Sequence, residues 1–356
     1  MFDLSRETLD AHCADVRQFI DCRHSVLQNG MRVAEVYNSS GLTFTLLPDR
    51  GFDIWTAHYR GIPLTWISRG SPHTADYGSP WLRQFNGGLL TTCGLQHSGP
   101  AELDDETGEQ RDLHGNFTRL RAELLRSEGY WEGDAFKLEI RGSLSEASLF
   151  GEQIHLERTY SVTLGVPGVE ILDIVSNVSD TPTPFMLLYH FNVGYPLVRQ
   201  DAKLDVPVSM TFPRDEAAER GLDTWPTYDS AQTGYEEQVF YHHVRQTNSM
   251  SRVLLSNGDI GLLLAWDTRH APYVSQWKNF RRGMYVCGIE PGNCVPEGLN
   301  AARTSGRLVT LQPGESHRFT NRLNVIDGAD SIARSVSEIE DLRATGAPAE
   351  GFRWKP

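Results

Sequence analysis

The chain has 356 residues, 39% hydrophobic and 22% charged, a composition that excludes a disordered polymer, and it contains no run of about 18 apolar residues able to cross a membrane as a helix. Its 46 Asp and Glu outweigh 33 Lys and Arg, giving a formal charge of -13; this field repels phosphate backbones, so nucleic acid is not an expected partner. The five cysteines, at 13, 22, 93, 287 and 294, are odd in number and lack CxxC pairs, which favours reduced thiols over a structural zinc site.

The chain opens with MFDLSRETLDAHCADVRQF, which has early acids and no secretory apolar core, so a cytoplasmic protein is expected. A short helix is predicted around residues 5 to 19, within an N-terminal extension reaching to about residue 30. From there the period is two. Leu42-Thr-Phe44-Thr-Leu46, Phe136-Lys-Leu138-Glu-Ile140 and Tyr160-Ser-Val162-Thr-Leu164 alternate, and turn clusters at 165 to 168, 176 to 184 and 312 to 315 separate such runs. Helices of ten or more residues do not alternate with these strands, which argues for a mainly β, antiparallel protein and against an α/β fold. Residues 213 to 236 are polar without a clear period and read as a long surface excursion of the kind that often binds or covers a ligand. Ile332, Val336, Ile339 and Leu342, with Gly346 as a stop, predict an amphipathic helix over about 330 to 345. No linker or compositional break divides the chain, so one domain over 1 to 356 is expected.

Four polar-rich segments interrupt the β pattern: 47 to 55, 81 to 100, 112 to 120 and 187 to 197. His190, in LLYHFNVGYPL, taken alone reads as a core histidine. His114 lies in Leu-His-Gly, where the glycine permits close approach of a backbone or ligand, and Glu290 ends the apolar run YVCGI at a Pro-Gly-Asn turn. A buried carboxylate is costly unless paired or used, and two histidines with one carboxylate are a sufficient acid and base set. Rival chemistries lack their signatures: HExxH, GxSxG and GxxxxGK[ST] are missing, and His242 and His243 sit in a strand-like run where neighbours face opposite ways. Arg50 is a candidate to clamp a hydroxyl or acidic substituent, or else to form an ion pair with a neighbour such as Asp53. Trp277 and Lys278 are candidates to stack on a ring and donate to its oxygens, with core packing the alternative for Trp277. His97 is either a third pocket histidine or a solvated turn residue.

In chain order, LPDRGFDI, NGGLLTTCGL, LHGNF, LLYHFNVGYPL and YVCGIEPGN followed by EG span about residues 40 to 326. Together they make the chain resemble the aldose 1-epimerase or galactose mutarotase superfamily, and especially its divergent aldose-epimerase-like branch. The resemblance implies a large antiparallel β-supersandwich with short terminal helices. It also implies that Glu290 acts as base on the anomeric hydroxyl and His190 as acid on the ring oxygen, with His114 and Arg83 holding the sugar. Both acid and base are then expected to titrate near neutrality. The implied partner is a small sugar, with no metal or nucleotide cofactor and no membrane, and a homodimer is compatible. The sequence offers no match for the sugar-binding aspartate of that superfamily. Because fold does not fix function, epimerisation at another carbon, a glycosidase-like reaction with Glu297 or Asp267 as second carboxylate, and a non-catalytic sugar-binding or regulatory protein stay open.

Overall fold

In the computed structural model, which describes residues 3–353, the period-two runs are strands. The strand Gln153–Thr163 alternates strictly, with Ile154, Leu156, Arg158, Tyr160 and Val162 buried between outward polar residues. It belongs to an eight-stranded antiparallel sheet running from Lys203–Asp205 at one edge to Glu123–Glu132 at the other. A five-stranded antiparallel meander covers Ile20–Val26 to Ile62–Pro63. The second large sheet runs Val208–Pro213, Gln238–Gln246, Tyr273–Arg281, Met284–Gly292, Thr183–Val193 and Val309–Leu311, and Leu90–Leu95 also pairs with Thr183–Val193. One apolar cluster joins the three sheets, with Phe44 and Phe52 from the meander, Ile140 and Tyr160 from one large sheet, and Tyr189 and Ile289 from the other.

The strand Thr183–Val193 does not alternate because both of its faces are covered. Leu187, Tyr189 and Phe191 enter the main core, whereas Met186 and Leu188 pack on the other side against Trp81, Cys93 and Leu299. Beneath it lies a polar knot. Arg158, fully buried, donates to Asp173 at 2.8 and 2.6 Å and to Asp53 at 2.7 Å, and Tyr189 donates its hydroxyl to Asp173 at 2.7 Å.

The C-terminal helix is Ala329–Thr345, and it seats Ile332 and Ile339 on Leu254. At the N-terminus the expected helix is shorter and split: Arg6–His12, then a 3-10 turn at Val16–Gln18 capped by the Asp15 side chain. Residues 20–26, expected in an extension, are the edge strand of the meander and pair with Arg32–Asn38. The polar excursion carries the helix Glu216–Glu219 and a 3-10 turn at Leu222–Thr224. It is strapped to the sheet, since Lys278 donates to the Thr224 carbonyl at 2.6 Å and Gln276 to the Trp225 carbonyl at 3.0 Å. Among the described residues no helix is long and apolar enough to cross a membrane.

Candidate functional site

Antiparallel register brings the proposed acid and base together. Leu188 pairs with Gly292 and Phe191 with Ile289, which sets His190 opposite Glu290 on the face turned away from the main core. His190 Nε2 lies 3.2 Å from Glu290 Oε1, and both residues are buried. On the other side of Glu290, the strand Tyr273–Arg281 places Ser275 opposite Glu290 and Trp277 opposite Gly288. Gly288 is the hub of this junction. A Cβ there would lie 2.7 Å from Glu290 Oε1, 2.9 Å from Trp277 Cβ and 3.0 Å from His190 Cε1, so any side chain would wedge the pair apart.

Aromatic rings wall the pair. The centroids of Trp277, Phe85 and His114 lie 5.5, 6.0 and 6.2 Å from that of His190. Trp66 bridges Trp277 and Phe85 at 6.5 and 5.9 Å, and Trp81 stacks on Phe85 at 4.5 Å and tilts over His114 at 5.0 Å. Trp66, Phe85, His114 and Trp277 are half-buried, so the walls reach from the buried pair towards solvent. His114 has a left-handed backbone, φ 57°, and Gly115 follows at φ 74°. The glycine is required by a backbone approach: its Cβ would fall 2.5 Å from the Gly94 carbonyl oxygen and 2.6 Å from that of His97.

Burial sets the protonation of the site. The Glu290 carboxyl is pushed up to about 8 by desolvation, with the Glu237 charge adding to the rise and Arg214 opposing it. His190 is pushed down to about 3 by burial, then by His114; His114 falls to about 4, chiefly by burial. Glu290 therefore titrates near neutrality as expected, whereas His190 does not. An imidazole enclosed by rings loses the hydration that would stabilise its cation, so burial favours a neutral His190 and a protonated Glu290 carboxyl. Around the pair, His190 Nδ1, His114 Nδ1, Asn192 Oδ1, Ser275 Oγ and Trp81 Nε1 are buried without a hydrogen-bond partner among the described residues.

The remaining residues singled out by sequence separate. Arg83 is exposed on the 3-10 turn Trp81–Arg83, one turn from Phe85. Lys278 points to the opposite face from its neighbour Trp277, where it contacts Tyr228 and Phe280 as well as Thr224, as strand alternation requires. His97 is a buried residue behind His114, with Nε2 2.8 Å from the Pro100 carbonyl and Nδ1 3.4 Å from Glu102. Arg50 does not pair with Asp53, whose oxygens are taken by Arg158 and Thr92; it bonds three backbone carbonyls instead. Glu297 is held by Arg307 and Asp267 by Arg269, so neither is a free second carboxylate. Sequence reading missed Glu237. This half-buried acid accepts from Trp277 Nε1 at 2.8 Å and from Arg214 at 3.3 Å, and its charge is felt by Glu290. Its only signal is its place at the end of the polar excursion, just before the next strand. Among the described residues no group of three or more His, Cys, Asp or Glu is arranged for a metal ion.

A family model described as a domain of unknown function (DUF4432) matches residues 28–325. No curated protein matches the sequence. Among solved structures, a Klebsiella pneumoniae protein whose name assigns it provisionally as an aldose 1-epimerase superposes with a TM-score of 0.86 at 25% identity, covering 94% of this chain and 91% of its own. A galactose mutarotase-like protein from Clostridium acetobutylicum gives 0.62 at 13% identity, covering 87% and 99%, and galactose 1-epimerase from Lactobacillus acidophilus gives 0.57 at 16% identity, also covering 87% and 99%. The fold is thus that of the galactose mutarotase-like proteins, as the sequence motifs implied.

Proposed function

We propose that this chain, which belongs to the DUF4432 family, is a mutarotase-like isomerase that interconverts the anomers of an aldose or related sugar by acid and base ring opening. The observation that carries the reading is the 3.2 Å contact between His190 and Glu290 at the foot of an aromatic cleft. Opening a hemiacetal ring requires a proton to leave the anomeric hydroxyl and another to reach the ring oxygen. A pair holding a single proton can accept one and give one without a net change. Burial favours that proton on Glu290, so the assignment of Glu290 as base and His190 as acid requires it to cross the 3.2 Å gap when a sugar binds. A sugar oxygen taking a hydrogen bond from His190 favours the imidazolium, and the polyhydroxylated ring offers partners to the unpaired polar atoms around it. The open aldehyde rotates about C1 and C2, closure on the other face returns both protons, and the pair is restored. His114 would hold ring hydroxyls and Trp277 the apolar ring face; Glu237 is the acid nearest in role to the sugar-binding carboxylate that the sequence lacks.

Saturation-transfer NMR on a panel of free sugars measures anomer exchange directly. Exchange above the spontaneous rate is expected for at least one sugar. Glu290→Gln is expected to lower it by about 100-fold or more while sugar binding persists. Normal exchange in that variant removes the base assignment, and binding without exchange for every sugar points to a binding or regulatory protein.

A further inference from the structure

Arg50 is only 2% exposed, yet no carboxylate pairs with it. The acids on either side of it in sequence are committed elsewhere, Asp49 to Arg32 and Arg121, and Asp53 to Arg158 and Thr92. Burial lowers its pKa to about 10, which leaves it charged at neutrality. Burying a cation whose hydrogen bonds all go to neutral carbonyls is expensive, even with the Asp53 charge near enough to offset part of the cost, so the position calls for a reason beyond packing.

The three acceptors supply it. Nε donates to the Thr118 carbonyl at 2.5 Å, Nη1 to that of His73 at 2.5 Å and Nη2 to that of Gln84 at 3.0 Å. Gln84 immediately precedes Phe85, which stacks on Trp81 and faces His190. Thr118 lies in the 3-10 turn that follows the left-handed His114. His73 belongs to the same loop as Phe85, and its amide is held in turn by Asn86 Oδ1 at 2.7 Å. One planar fork therefore ties the segment carrying Phe85 to the segment carrying His114. Lys, with a single nitrogen, cannot span the three carbonyls. A cavity about the size of one water lies beside this fork; Arg50, Asp53, Phe85 and Thr91 line it, and Thr91 is the register partner of His190. Arg50 is buried and its guanidinium is engaged by the three carbonyls, so its donors are committed to the backbone.

We propose that Arg50 is a positioning residue: by clamping the carbonyls of Gln84, His73 and Thr118 it fixes the Phe85 and Trp81 wall against His114 and sets the width of the cleft. The functional consequence rests on the reading of this cleft as a sugar site, while the clamp itself does not. The test compares Arg50→Lys, Phe85→Ala and their double variant, after circular dichroism has confirmed folding. Arg50→Lys is expected to raise KM for anomer exchange about 10-fold with kcat within about 3-fold, because the wall binds the ring and the proton transfers lie elsewhere. The double variant is expected to be no worse than Phe85→Ala alone, since both changes remove the same wall. In the free protein, the imidazole Cε1–H NMR signal of His114 is expected to shift in Arg50→Lys, and methylguanidinium is expected to return it towards the wild-type position in Arg50→Ala. A wild-type KM together with an unshifted His114 signal, or a fall in kcat at constant KM, overturns the proposal. If the wild type binds no sugar, the reading of the site fails, and the His114 signal alone decides whether Arg50 sets the geometry. Should Arg50→Ala fail to fold, the Lys variant and the double variant still decide.

Discussion

Gly288 shows how much of this site rests on a missing atom. Its absent Cβ leaves room for Glu290, His190 and Trp277 at once, so Gly288→Ala is expected to lower anomer exchange by about 100-fold, the scale of a displacement near 1 Å, while the sheet stays folded. Matched circular dichroism and saturation-transfer rates on the two proteins check this. The pair itself makes a second expectation. Its single proton is lost as pH rises through the value of about 8 at Glu290, and a second is gained only as pH falls towards about 3 at His190. Enzyme-dependent exchange, corrected for the spontaneous rate, is therefore expected to be flat from about pH 5 to 7 and to fall above about 8. A steep loss between pH 7 and 6 would instead require a histidine titrating at its ordinary value. The residue types of this pair were legible in the sequence, where an acid closing an apolar strand and a histidine amid aromatics both stood out. Their depressed and raised pKa values were not, because desolvation depends on neighbours that come from remote segments.

At the scale of elements, the site depends on strands that hold their register. Arg158 helps to fix it, since its fork joins Asp173 on the neighbouring strand to Asp53 of the meander, and Tyr189, next to His190, closes the same knot. Removing one partner from a buried ionic network costs far more than the network contributes, because charges are left without compensation. Arg158→Leu is expected to destabilise the protein by about 3 to 5 kcal/mol, measured by urea unfolding; Asp173→Asn, which leaves Arg158 with Asp53, is expected to cost less. The alternating strands and the C-terminal helix could be read from periodicity alone. Fully buried strands such as Leu90–Leu95 and Thr183–Val193 could not be oriented that way, since both faces are buried and neither alternates with exposed polar residues. The same limit coupled Trp277 and Lys278 as joint ligand contacts although they face opposite sides of one strand.

For the whole molecule, the buried acids make stability depend on pH. Folding raises Glu290 from 4.5 to about 8 and Glu146 from 4.5 to about 7, so between about pH 7 and 8 the folded state still holds protons on these acids that the unfolded state has released. Stability then falls as pH rises, because raising pH favours the state with fewer bound protons. Because His190, His114 and His242, lowered from 6.5, work the other way until their unfolded forms have lost their protons, the Tm of the wild type is expected to decline from about pH 7 to 8 in scanning calorimetry, and that of Glu290→Gln to decline less. A steeper decline in the variant would show that Glu290 does not carry the effect. The amino-acid sequence by itself determined the antiparallel β class, the terminal helices and a set of candidate groups including His114, His190 and Glu290, because hydrophobic period and turn chemistry are local properties of the chain. Tertiary structure alone decided that His190 and Glu290 meet, that Arg50 clamps carbonyls rather than facing the cleft, that Lys278 points away from it and that Glu237 stands beside the base. These are matters of register and of which face of a sheet a residue occupies, and they are fixed by pairing between segments tens to hundreds of residues apart.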